Sequence, residues 1–184
     1  MTNHAIGNFQ PRLTPAVKTL IFAFVIGHVI QISLSHFAGI NINPVFGFVP
    51  LSFVQGHIWQ VLTYMFLHGD VFHLLFNLLG IYMLGSELEG RWGTKKFYTY
   101  FLICGLGAAL VHTLCWLASL IFLPQYAASL GLIPTIGASG ALFGLLFAFA
   151  LLYGDMYMLV FLIVPMKAKH FAVLMAGIEL YVTV

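Results

Sequence analysis

The chain has 184 residues, of which 61% are apolar and only 7% are charged, and its formal net charge is +2. This composition excludes a soluble globular domain, because so few charged side chains cannot cover a surface that faces water. The seven Lys and Arg residues are also too scattered to form the basic patch of a nucleic-acid-binding protein. We therefore predict an all-α, polytopic membrane helix bundle with the lipid bilayer, and no nucleic acid, as its partner.

Five apolar runs each approach the length of about 20 residues that a helix needs to cross a bilayer. They cover residues 17–39, 66–86, 96–121, 136–154 and 169–184. We assign all five spans to one domain over 1–184, which opens with a tail at 1–16. The first run follows basic residues and is open to a second interpretation as a cleaved signal sequence, although its length favours a retained helix.

Two further apolar segments are too short to span. Met156 to Val164 is about half the length of a span and ends at Pro165, so we predict either an interfacial segment or an extension of the fourth helix. The connection at about 40–62 holds several aromatic residues and no charge. We expect this connection to lie partly in the bilayer interface, where aromatic rings are enriched.

The basic residues indicate the orientation of the chain, because cytoplasmic loops retain Lys and Arg. All seven lie before the first, third or fifth run or within its first two residues: Arg12, Lys18, Arg91, Lys95, Lys96, Lys167 and Lys169. The connections after the first and third runs have none. We expect the amino-terminal tail to be cytoplasmic and those two connections to lie outside.

Polar side chains form two clusters in this apolar background. His73 and Asn77 are four residues apart and share a helix face, while His68 precedes them near the outer end of the same run. Ser139 lies at the outer end of the fourth run, where free amides and the helix dipole favour a developing oxyanion. The two clusters therefore lie at similar depths, which indicates chemistry inside the membrane.

Three glycines accompany the serine. Gly137 and Gly140 allow a backbone to approach its hydroxyl closely, and Gly140 with Gly144 forms a notch of small residues for a neighbouring helix. The alternative interpretation of this motif is that its small residues serve only to pack the helix against a neighbouring helix. Likewise, His73 and Asn77 alone are compatible with hydrogen bonds between helices.

These residues resemble the rhomboid family of intramembrane serine proteases from the first span to the last residue. The family's His-x-x-x-Asn motif and its earlier histidine are matched by His73 to Asn77 and by His68. Its Gly-x-Ser-Gly motif is matched by Gly137 to Gly140. Weaker similarities follow the second and precede the fifth helix: Gly85, Glu89, Arg91 and Gly93, and the run from Pro165 to Lys169.

The resemblance implies an intramembrane serine endopeptidase that cleaves transmembrane protein substrates and uses no cofactor or metal. Ser139 would be the nucleophile, and His73, Asn77 and the Ser139 amide would stabilise the oxyanion. The remaining matched residues would support the site: His68, Gly137, Gly140, Gly144, Glu89 and Trp59. The resemblance also implies a multi-pass protein of a bacterial cytoplasmic membrane.

The chain departs from the family pattern in two places. The family's Trp-Arg pair reads Trp59-Gln60, so the anchoring of the first external loop loses its charged half. The family's general base is a histidine on a sixth helix, and no residue up to Val184 matches it. We expect a fragment of a longer chain, inactive alone, with a naturally truncated inactive form as the second interpretation.

A missing sixth helix has further consequences. We expect the notch at Gly140 and Gly144 to face that helix, and we consider His112 as a substitute base because it lies in the outer half of the third run. A non-catalytic rhomboid-like protein that binds transmembrane helices is the rival function. A small channel or transporter ranks third, because paired broken helices are not seen.

The predicted orientation is tested by cysteine labelling in intact cells. Cysteine substitutions at Gln55 and Gln125 should react with a membrane-impermeant thiol reagent, whereas one at Thr94 should not, since the loop at Thr94 carries basic residues. Labelling at Thr94 before lysis would contradict the orientation.

Overall fold

The computed structural model describes residues 12–160 and 164–183, so residues 1–11 of the predicted tail lie outside it. It is an all-α bundle apart from one small hairpin in the described part. The α-helices are α1 (Pro15–Ala38), α2 (Asn43–Phe46), α3 (Pro50–Val54), α4 (Gln60–Thr63), α5 (Val71–Gly80), α6 (Ser86–Trp92), α7 (Thr94–Phe122), α8 (Pro124–Leu132), α9 (Ser139–Tyr153) and α10 (Ala168–Thr183). A 3₁₀ turn at Tyr64–Phe66 precedes α5, and a π turn at Ile81–Gly85 joins α5 to α6.

Three helices in the described residues are long and apolar enough to cross a membrane: α1, the continuous α5–α6 helix and α7. The first and third predicted spans are confirmed to within two residues. Side chains of α1 such as Phe24 are buried in the bundle.

The second predicted span, 66–86, is displaced along the chain by about five residues, because α5 begins after Asp70. The Asp70 carboxylate accepts a hydrogen bond from the His73 amide (2.9 Å) and so caps the first turn of α5. The same hydrogen bond lowers the pKa of the Asp70 carboxyl. Hydropathy alone does not detect such a cap.

The segment from Met156 to Val164 does not extend the fourth helix, and that part of the prediction is wrong. Helix α9 ends at Tyr153, and β1 (Tyr157–Val160) pairs antiparallel with β2 (Val164–Lys167), with Tyr157 opposite Lys167. Residues 161–163 lie outside the described residues. Asp155 accepts hydrogen bonds from Lys167 (3.4 Å) and Lys169 (2.7 Å), which ties the turn after α9 to the start of α10.

Helix α7 lies against α9 through small residues. A Cβ atom built on Gly140 would overlap the Cβ of Ala108, and one built on Gly144 would overlap the sulfur of Cys104. The notch at Gly140 and Gly144 therefore contacts α7, and the expectation that it faces a sixth helix is wrong. Small residues at this seam let the two backbones approach closely enough to pack without a gap.

This contact sets the depth at which α9 begins. Helix α7 has 29 residues and is about 43 Å long. Ala108, which meets Gly140, lies at its middle, about 20 Å from either end. With 15 residues, α9 is only about 22 Å long and is shorter than the hydrocarbon core of about 30 Å. Ser139 therefore begins its helix well below one end of α7.

The buried Glu89 carboxylate holds the opposite end of the bundle together. It accepts hydrogen bonds from the first-turn amides of α1, Ala16 (2.9 Å) and Val17 (3.1 Å), and from the hydroxyls of Thr14 and Thr94. A carboxylate at a helix amino terminus satisfies free amides and interacts favourably with the helix dipole. Glu89 thus joins the start of α1 to the turn between α6 and α7.

We expect Glu89→Ala to lower the free energy of unfolding by about 2 kcal/mol, because it leaves several buried donors without an acceptor. The measurement is denaturant unfolding in detergent micelles. Glu87→Ala, on the same helix, is the matched control and should change the unfolding midpoint little. Equal losses in the two variants would contradict this role of Glu89.

Candidate active site

A cavity of about 420 Å³ lies between α5, the π turn, α9 and α10. Three of its lining residues are polar, and these are Ser139, His73 and Asn77. The other walls are apolar: Phe76, Leu79, Gly80, Met83, Leu84, Leu142, Phe143, Leu146, Phe171 and Met175. The structure thus brings the two polar clusters of the sequence to one end of an apolar groove.

Ser139 is the first residue of α9, and its side chain is accessible. The first backbone hydrogen bond of this helix runs from the Leu142 amide to the Ala138 carbonyl (3.0 Å). The amides of residues 139–141 precede that bond and have no acceptor within the helix. Together with the positive end of the helix dipole, they make the surroundings of the serine hydroxyl favourable for an anion.

Gly137 brings the loop before Ser139 against the His73 ring. Its φ angle is +113°, a conformation that side-chain-bearing residues rarely adopt. A Cβ atom built on Gly137 would lie 2.6 Å from His73 Nε2. The Gly137 amide also donates to the Tyr64 carbonyl (2.9 Å), which holds the loop in place. Glycine is therefore required here both for backbone conformation and for contact with His73.

The hydrogen bonds around His73 indicate which ring nitrogen carries the hydrogen. The Gly69 amide donates to Nδ1 (3.3 Å), so a neutral ring carries its hydrogen on Nε2. Nε2 is the atom that faces Gly137, two residues before Ser139. His73 consequently presents a hydrogen-bond donor toward the serine end of the cavity.

Asn77 is buried in the wall of the same cavity. Its Nδ2 donates to the His73 carbonyl one turn earlier (2.8 Å), and Oδ1 has no partner among the described residues. One N–H of the amide remains available. A half-satisfied amide in an apolar wall is costly for folding, and such groups occur chiefly where function requires them.

His68 lies in the extended segment before α5, not on the helix, so its expected place on the second span is wrong. Its ring is fully buried, with its centroid 5.2 Å from that of His73 and 6.3 Å from that of His28. The His68 amide donates to Gln31 Oε1 (3.0 Å). His68 thus packs against the His73 ring but does not line the cavity.

Two other residues expected at the site lie away from it. Glu89 caps α1 about 18 Å further along the helix from Asn77. The Trp59 indole donates to the Val45 carbonyl (2.9 Å) and holds the connection after α1. Gln60, where the family pattern has arginine, is fully buried and binds the Val49 amide (3.1 Å). Neutral hydrogen bonds from Gln60 therefore anchor this connection.

His112, the possible substitute base, does not line the cavity. Its Nε2 contacts the Leu130 carbonyl (3.1 Å), and its Nδ1 contacts the Thr135 hydroxyl (2.9 Å). Both ring nitrogens are therefore engaged in the segment that leads to Ser139. Sequence reasoning missed Thr135 and Leu130, because nothing in their local sequence marks them.

The fold and the cavity define a polytopic helical membrane protein with an accessible serine at the start of a helix that lines an apolar cavity. The family model described as the rhomboid domain matches residues 55–183. This match covers more than half of the chain, and the chain belongs to the rhomboid family.

Several curated relatives are similar over shorter stretches. Rhomboid-like protease 3 of Toxoplasma gondii is 43% identical over 60 residues, or 32% of this chain and 23% of the relative. Rhomboid protease GluP of Bacillus subtilis is 31% identical over 74 residues, or 40% of this chain and 13% of the relative. Rhomboid protease AarA of Providencia stuartii is 35% identical over 57 residues, or 31% and 20%. The alignments thus span less than a quarter of each of these relatives.

We expect Gly137→Ala to destabilise the protein by about 1 to 3 kcal/mol, because alanine is strained at this φ angle and its methyl group would displace His73. Gly107→Ala is the matched control, since a Cβ atom there meets nothing within 4 Å. The measurement is again denaturant unfolding in detergent. Unchanged stability of Gly137→Ala would show that the loop conformation is not required.

Proposed function

We propose that this protein is an intramembrane serine endopeptidase that hydrolyses peptide bonds in or near transmembrane segments of other proteins. The observation that supports the proposal is that Ser139, His73 and Asn77 line one apolar cavity, in which His73 Nε2 faces Gly137, two residues before Ser139. The names of the relatives, which are called proteases, support the same reaction.

In this proposal the Ser139 hydroxyl gives its proton to a base and attacks the scissile carbonyl. The C–N bond breaks, the amine leaves with that proton, and water then hydrolyses the resulting acyl-enzyme. The developing oxyanion receives hydrogen bonds from the Ser139 amide, His73 Nε2 and the free N–H of Asn77. Such donors are effective because they are fixed in place before the reaction. The Gly69 amide on His73 Nδ1 supports this role, since it keeps the hydrogen on Nε2.

A serine hydroxyl also needs a base. His73 is the one histidine that lines the cavity in the described part of the chain, and its Nδ1 already accepts a hydrogen bond. We assign the base instead to a histidine on a sixth helix, as the family resemblance implies. His73 is then free to act as a donor only.

The shape of the cavity supports a transmembrane substrate. Its walls below the serine are formed by apolar side chains of α5, α9 and α10, among them Phe76, Leu146 and Met175. An apolar helix loses nothing by leaving lipid for such a wall, whereas its backbone must unwind near Ser139 to expose a carbonyl.

The amino-terminal tail would be cytoplasmic, with Ser139 toward the outer leaflet.

Cleavage of a labelled transmembrane substrate in lipid vesicles tests the proposal. A chain in which a sixth helix bearing a histidine follows residue 184 should cleave, residues 1–184 alone should not, and Ser139→Ala should abolish cleavage. His73→Ala and Asn77→Ala should each lower kcat by about 10²- to 10³-fold. Ser129→Ala, at an exposed serine on α8, is the matched control.

The rival is a non-catalytic rhomboid-like protein that holds transmembrane helices in the same apolar cavity. A fluorophosphonate probe, which reacts with an activated serine, separates the two functions. Labelling of the extended chain that Ser139→Ala removes supports the protease. Retained substrate binding with no labelling and no cleavage in any variant would favour the rival.

A further inference from the structure

Residues 133–138 connect α8 to Ser139. They form neither helix nor strand apart from one isolated β-bridge. That bridge joins Thr135 to Phe48 through two backbone hydrogen bonds (2.8 and 2.9 Å). The Gly137 amide binds the Tyr64 carbonyl (2.9 Å). The third attachment is a side-chain contact, between the Thr135 hydroxyl and His112 Nδ1 (2.9 Å).

The direction of the hydrogen bonds at His112 follows from its partners. The Leu130 carbonyl can only accept, so His112 Nε2 carries the hydrogen and donates to it (3.1 Å). In a neutral ring, Nδ1 is then an acceptor, and the Thr135 hydroxyl must be the donor. One tautomer of one side chain therefore joins the end of α8 to the loop that leads to Ser139.

The imidazole is also packed in place. Its ring lies 5.8 Å from the Phe48 ring in an edge-to-face arrangement, and the Phe48 backbone pairs with Thr135. Helix α7, which carries His112, is the helix on which α9 rests through Gly140 and Ala108. His112 thus attaches the loop that leads to Ser139 to α7, which is also the helix that sets the depth at which α9 begins.

We propose that His112 is a positioning residue for Ser139 and acts through Thr135. The inference rests on the proposed protease function for its consequence in catalysis. Thr135 is four residues before the nucleophile, and Gly137, whose backbone is the most permissive in the loop, lies between them. Loss of the His112 contact removes one attachment of this loop, while the backbone hydrogen bonds of Thr135 to Phe48 and of Gly137 to Tyr64 remain. We therefore expect a small shift of the serine hydroxyl relative to His73 and Asn77.

The first test compares His112→Leu, His112→Gln and Thr135→Val in the chain extended by the sixth helix. We expect His112→Leu and Thr135→Val to lower kcat by about 10- to 100-fold with KM nearly unchanged, because small displacements of a reacting group cost this much. The double variant should be no slower than the slower single variant. His112→Gln, which keeps a donor and an acceptor, should restore most of the rate.

His57→Leu is the matched control, because His57 binds the Ser52 carbonyl in the connection after α1. It should leave kcat unchanged. If His112→Leu does not fold, Thr135→Val carries the test, since Thr135 is exposed and its replacement removes only the hydroxyl. Additive losses in the double variant, or a KM effect alone, would overturn the positioning role.

A second readout does not depend on proteolysis. Ser139→Cys is labelled with a thiol reagent in detergent, and the parent protein gives the background from Cys104 and Cys115. We expect His112→Leu and Thr135→Val to change the labelling rate at residue 139 several-fold, and His112→Gln to leave it near the original value. Unchanged labelling in the first two variants would refute the inference, while changed labelling without any cleavage would refute only the protease function.

Discussion

The close contact between α7 and α9 is the constraint on which the rest of the structure depends. It exists because Gly140 and Gly144 lack the Cβ atoms that would overlap Ala108 and Cys104. In lipid, where apolar surface gains nothing by leaving its solvent, such close packing is a principal source of helix association. The contact sets the start of α9 opposite the middle of α7 and so places Ser139 at the level of the α5 side chains.

The polar groups near Ser139 follow from that placement. The chain satisfies most of them itself: Gly69 binds one nitrogen of His73, and Tyr64 binds the Gly137 amide. Among the described side chains that line the cavity, Asn77 has a buried polar atom without a partner, Oδ1. Buried polar groups persist against their folding cost where ligands or water meet them. This unpaired oxygen lies in the wall of the candidate site.

Much of the fold could be predicted from local sequence. Hydropathy located α1 and α7 within two residues, because a run of apolar side chains in lipid must be helical to satisfy its backbone. Hydropathy placed the start of α5 too early in the chain, because it does not detect the single side-chain hydrogen bond by which Asp70 caps this helix. It also missed the hairpin after α9, because a short apolar segment has no period that separates strand from helix.

The sequence by itself determined the class of protein, and it singled out Ser139, His73 and Asn77 and the small residues beside the serine. Only the tertiary structure decided what those residues contact: that Gly140 and Gly144 face α7, that Glu89 caps a distant helix, and that His112 holds Thr135. The physical reason is the separation along the sequence between the residues that interact. Helix formation and membrane insertion depend on neighbouring residues, whereas these contacts join residues 23 to 75 positions apart and exist only once the helices have packed.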